Sequence, residues 1–149
     1  MPRDLCGDSE HILRAITSDD IAQQPDGTLF IKPTSFEGAT VSVSRLSVLS
    51  LEEIFKIFLH DVQKTNRQPP RFLKCGVELE VGTLKEVCLN YQERPTEIQV
   101  QIDPIIPDNP AHAEIVVTNQ NGKISKGLSR IIVAFIERHR LIRNLPDAN

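Results

Sequence analysis

Long hydrophobic runs are missing from this sequence. The longest, IIVAFI at 131–136, is far too short to span a bilayer. The stretch MPRDLCGDSEH has no apolar core of the secretory-leader kind. Cysteine is scarce: Cys6, Cys75 and Cys88 are odd in number, widely spaced and without a CxxC, so they read as reduced thiols, two of them in the core. With no leader and no disulfide framework, the expected location is the cytosol. The seven glycines are scattered and form neither GxGxxG nor GxxxxGK[ST], which removes a phosphate-cradling loop. The histidines, at 11, 60, 112 and 139, never approach metal-ligand spacing, so no metal is expected from spacing alone. No repeat, low-complexity tract or linker interrupts the chain.

What is present is ordinary for one globular domain. The 149 residues suffice for one domain with a core, and 40% hydrophobic with 25% charged residues is an average balance. A net charge of −3 does not advertise nucleic-acid binding. The charge is unevenly spread, however. Residues 1–37 carry Asp4, Asp8, Glu10, Asp19, Asp20, Asp26 and Glu37 against Arg3, Arg14 and Lys32. Residues 123–143 carry Lys123, Lys126, Arg130, Arg138, Arg140 and Arg143 against Glu137 alone. A basic helix end suits the macrodipole as a solvated face. The alternative is a docking surface for an acidic protein or nucleic acid, with Lys123, Lys126 and Arg130 at its centre.

Hydrophobic period and turn chemistry predict α+β: about six short strands in a mixed, largely antiparallel sheet, with three helices packed on it. Strands are expected over 11–16, 28–32, 40–46, 72–81, 97–102 and 112–118. Thr40 to Leu46 alternates, with Val41 and Val43 on one face and Thr40, Ser42 and Ser44 on the other. Pro25-Asp26-Gly27 is a turn. Ser50 and Glu53 form a capping box before the stripe Leu51, Ile54, Phe55, Phe58, Val62, which predicts a helix over 50–64. Thr83 and Glu86 suggest a second box opening a short helix as far as about Tyr91. A last helix is expected over 125–140, burying Leu128, Ile131, Ile132, Phe135 and Ile136. The domain spans 1–149, with 146–149 expected to fray.

The stretch from Ile102 to Leu141 is the most suggestive. Pro104, Pro107 and Pro110 stiffen a loop, and a short strand then places His112 and Glu114 on one face. His112-x-Glu114 matches the H-x-E of zinc deaminases, but no cysteine follows Cys88 to complete that metal site. A polar site is therefore expected around Asn109 to Glu114, joined by Arg14, Ser42, Ser44 and Arg45. Ser125 opens the last helix beside Lys123 and Lys126, where free backbone N–H groups suit an anion.

The order Arg14 on a first strand, Thr40-x-Ser42-x-Ser44 on a later one and Glu114 on a late one resembles that of ADP-ribosyltransferases. The resemblance implies NAD as the cofactor. Arg14 would grip a phosphate, Ser42 or Ser44 would position the dinucleotide, and Glu114, with His112 nearby, would polarise the ribose. The chain also resembles a group of small bacterial proteins through Arg14-Ala15-Ile16, Asp26-Gly27, Phe36 with Ser42-Val43, and Asp103-Pro104 with Asn109-Pro110-Ala111-His112-Ala113. That resemblance implies a shared fold and no particular activity. The sequence reading is thus a cytosolic bacterial binding or accessory protein with its polar site at the NPAHAE segment and no cofactor. An NAD-dependent enzyme using Arg14, Ser44 and Glu114, or a partner-binding module using the basic C-terminal helix, are the alternatives.

Overall fold

The computed structural model describes residues 3–64, 70–119 and 121–145. Its centre is β1 (His11–Thr17), the seven-residue strand HILRAIT. Antiparallel neighbours flank it: β4 (Thr40–Arg45) on one side and β5 (Leu73–Glu80) on the other. The sheet continues outward to β7 (His112–Val117) and β6 (Ile98–Ile102) beyond β4, and to β8 (Ile142–Asn144) beyond β5. All five pairings are antiparallel, so the expected six-stranded α+β sheet is present. Residues 4–6 run along the outer edge of β6, with Cys6 N–H donating to Val100 O at 2.9 Å and Ile102 N–H to Asp4 O at 2.8 Å. Among the described residues no helix is long and apolar enough to cross a membrane.

The two faces of the sheet are treated differently. On one, Ile12, Ile16, Val41, Val43, Val77, Leu79, Val100 and Ile115 meet α2 (Val81–Leu89) and α3 (Lys126–His139). Leu84, Cys88, Leu128, Ile132 and Ile136 close that core. On the other, α1 (Leu51–Lys64) lays Ile54, Phe55, Phe58 and Val62 against Leu13 and Leu73. It packs on the β1 and β5 side of the sheet. Ser42, Ser44, His112, Glu114 and Gln101 lie on that same face, because Leu13 pairs with Ser44, Ser44 with His112, Ser42 with Glu114 and Glu114 with Gln101. Among the described residues no helix packs an apolar stripe on their half. The expected split of Val41 and Val43 from the serines thus has a physical sense: the valines face the two-helix core and the serines a polar half-face.

Several expectations change in detail. The strand at 28–32 is β3 (Leu29–Ile31), and it pairs with β2 (Ile21–Gln23) in a separate hairpin rather than joining the main sheet. β2 and β8 have too few residues to show an alternation. β8 exists because Arg140 takes a left-handed φ of 54° after α3, and the chain reverses to pair Ile142 with Val77. The capping box at Thr83 does not form. α2 begins at Val81 behind Glu80, and Thr83 Oγ1, inside the helix, donates to Glu80 Oε1 at 2.9 Å. α2 ends at Leu89, before Tyr91. The Ser50–Glu53 box does form, with both bonds at 3.2 Å. On α3, Ile131 is 44% exposed, because it sits beyond the edge of the buried stripe. All three cysteines are buried and free, one more than expected. Burial pushes Cys88 up to about 12 and Cys6, beside Glu10, to about 11, which keeps both thiols protonated. Residues 146–149, expected to fray, lie outside the described residues.

Arg45 leaves the polar half-face. Its Nε donates to Glu10 Oε1 at 2.9 Å, and Ser47 Oγ donates to the same oxygen at 2.7 Å. Partial burial alone would raise Glu10, but these bonds and that from Gly7 N–H outweigh it and hold the carboxyl below its usual 4.5. A carboxyl with a depressed folded pKa stabilises the protein above its unfolded pKa and loses that contribution as the pH falls through the folded value. Stability is therefore expected to drop below about pH 4.5. Glu10→Gln should flatten that part of the pH–stability curve in denaturant titrations while lowering stability at pH 7.

Candidate functional site

A cleft of about 650 Å³ opens on the polar half-face. Its floor is Ser42 and Ser44 of β4. One wall is α1, through Phe58, Asp61 and Val62, with Arg71 beside it. The opposite wall is the loop ending in Ile105, Asp108, Asn109 and His112. Thr17, Asp19 and Asp20, in the turn that ends β1, close one end. Of the residues expected at the site, Arg14, Ser42, Ser44, Asn109 and His112 line this one cleft, whereas Arg45 and Glu114 do not.

Arg14 reaches the cleft in an unusual way. By alternation on β1 it belongs with Ile12 and Ile16 on the two-helix face. The β1–β4 ladder runs only from Ile12↔Arg45 to Leu13↔Ser44 and then parts. The Arg14 guanidinium occupies the parting. Nε and Nη2 both donate to Ser35 O, at 3.2 and 3.1 Å, and Nη1 donates to Ser42 O at 2.9 Å. The group also lies 5.7 Å from the centre of the buried Phe36 ring. Burial lowers its pKa from 12.5, and the charge of Asp20 acts the other way. Arg14 thus replaces the missing ladder bond, and the fork a phosphate would need is spent on two carbonyls.

Asn109 organises the loop wall. Ile105 and Asn109 exchange main-chain bonds of 2.9 and 2.6 Å, closing a tight loop that contains the cis Ile106–Pro107 bond. The Asn109 Nδ2 donates to the buried Ser44 Oγ at 3.2 Å, and its Oδ1 accepts from Ala111 N–H at 3.2 Å. The prolines and this amide together set where His112 enters β7. His112 Nδ1 lies 2.9 Å from Asp103 O and 3.3 Å from Asp103 Oδ2. Glu114, two residues on, pairs with Arg3 at 3.3 Å, and Arg3 also lies 3.7 Å from Asp103.

The charge of the cleft is set by residues that spacing did not single out. Four carboxylates line it, Asp19, Asp20, Asp61 and Asp108, against the two guanidinium groups of Arg14 and Arg71. Asp20 is held by Thr17, accepting from its N–H at 3.0 Å and its Oγ1 at 3.3 Å. The one legible signal was Asp61, an exposed carboxylate that falls in sequence between Phe58 and Val62 of the buried stripe of α1. Lys123, Lys126 and Arg130, proposed from the sequence as an anionic-partner surface, are all exposed at the start of α3 and stand apart from the cleft. Ser125 caps that helix by accepting from Leu128 N–H at 3.1 Å.

No family model, curated protein or solved structure matches the chain.

Proposed function

We propose that the protein is a binding module for a small, polar, positively charged ligand, held in the cleft between α1 and the 105–112 loop. The observation that carries this reading is the lining: four carboxylates against two guanidinium groups, with the Arg14 group already committed to backbone carbonyls. An amine or guanidinium would enter the negative field of these carboxylates, with Asp108 on the loop wall and Asp61 on the α1 wall, and the serine hydroxyls and His112 lie between them. A cleft of this volume suits a molecule of modest size. An NAD-like ligand fits less well: its phosphates would face those carboxylates, and Glu114 is engaged by Arg3 away from the lining. Binding rather than catalysis is the function favoured, in agreement with the reading of the NPAHAE segment as an accessory site.

Calorimetry with spermidine and arginine methyl ester as cationic probes, and with NAD and pyrophosphate as anionic ones, tests the reading. The cationic probes should bind, and binding should weaken as salt is added. Asp61→Asn and Asp108→Asn should each weaken it by about 2–5-fold, the 0.4–1 kcal/mol of a partly exposed ion pair. Tighter binding of NAD or pyrophosphate than of either amine would reject the proposal.

A further inference from the structure

Beside the cleft, and separate from its acidic lining, Asp103, His112 and Glu114 converge. One ring nitrogen of His112 and one oxygen from each carboxylate all lie within 4.8 Å of one another. Atoms bound to a single transition ion at 2.0–2.2 Å stand at most about 4.4 Å apart, so a small side-chain contraction would bring the three to bonding distance. The scaffold is firm. His112 and Glu114 are two apart on β7, and Asp103 follows β6 directly, tied to β7 by its N–H donating to His112 O at 3.0 Å. The ring nitrogen on the carboxylate side is Nδ1.

We propose that these three residues bind a divalent first-row transition ion, and that Arg3 is the cation that takes its place in the metal-free protein. The charge favours a cation there: the Asp103 and Glu114 carboxylates converge beside His112, and Arg3 supplies a single positive charge at 3.7 and 3.3 Å from them. A dication neutralises both. One imidazole with two carboxylates suits Zn2+, Co2+ or Mn2+ better than a soft ion, which prefers sulfur, or Ca2+, which prefers an all-oxygen shell. Binding moves the His112 proton to Nε2 and exchanges the Nδ1–H···O bond to Asp103 for a bond from Nδ1 to the metal. It also frees Arg3 from both carboxylates, so the ion competes with the segment at residues 3–6 that runs along β6. The site shares His112 with the cleft lining but draws its carboxylates, Asp103 and Glu114, from outside it.

The test is a titration of the metal-stripped full chain with Zn2+, Co2+ and Mn2+ by calorimetry, with the loss of the free Mn2+ electron-resonance signal as a second readout. One equivalent should bind, in the order Mn2+ weaker than Co2+ weaker than Zn2+. Asp103→Asn and Glu114→Gln should each weaken binding by at least ~10-fold. Arg3→Ala should tighten it, a gain that a folding defect cannot imitate. Asp61→Asn, in the cleft, should leave it unchanged. Failure of all three ions to bind at millimolar concentration would overturn the proposal. So would binding indifferent to Asp103→Asn and Glu114→Gln in variants whose circular dichroism matches the parent, or tighter Zn2+ binding that does not follow from Arg3→Ala.

Discussion

Replacing Arg14 with Met is expected to destabilise the protein by about 1–3 kcal/mol. Met keeps most of the apolar stem and removes the donors. Ser35 O and Ser42 O then lose the guanidinium bonds of 2.9–3.2 Å in a place where β1 and β4 have already separated. A buried acceptor left without its partner costs about 1–3 kcal/mol, and that is the position of Ser35 O, whereas the exposed Ser42 can turn to water. Arg14→Lys should recover only part of the loss, because an ammonium cannot address both carbonyls with the planar fork. Urea melts of the three proteins decide this. Arg14→Met within a few tenths of a kcal/mol of the parent would mean that the parting is satisfied by other groups, and Arg14 would again be available to a ligand.

Ile132→Ala is expected to cost about 2–5 kcal/mol, the range for truncating a fully buried aliphatic side chain without collapse of the cavity. Ile132 is completely buried on α3, in the cluster that joins both helices to Ile12, Val43 and Val100. Ile131→Ala, one position away and 44% exposed, should change stability by no more than about 0.5 kcal/mol. The pair is a sharp control, since the helical period alone placed both residues on the buried side. Equal losses from the two variants would mean that α3 is rotated from the orientation described.

Much of the fold was legible because period and burial agree. β4 alternates, α1 carries its stripe behind a true capping box, and β7 follows a proline-stiffened loop, so their existence and facing could be read directly. The misreadings have local causes. Thr83-x-x-Glu86 has the capping-box spacing but lies within α2, where the chain had already turned helical at Val81. β2 and β8 are three residues each and owe their pairing to tertiary neighbours.

The site was legible in part. Sequence order suggested that Arg14, Ser42, Ser44, Asn109 and His112 belong together, and one cleft gathers them. The direction of Arg14 could not be read, because nothing in HILRAIT shows that the ladder beside it ends after Leu13. The same is true of Asp103. It stood as a residue before a proline, and only the tie between the end of β6 and the start of β7 puts it against His112 and Glu114. The acidic character of the cleft depends on Asp19, Asp20, Asp61 and Asp108, which come from three distant segments and share no motif.

The cleft itself is the central claim, and amide chemical-shift mapping tests it most directly. Uniformly labelled protein would be titrated with spermidine at low salt and again with pyrophosphate. The account predicts that spermidine shifts a contiguous set of amides, those of Thr17 to Asp20, Ser42 to Ser44, Asp61 and Val62, and Asp108, Asn109, Ala111 and His112. Pyrophosphate should leave that set in place. Spermidine shifts scattered over the acidic surface, or pyrophosphate shifts concentrated in the cleft, would contradict the account.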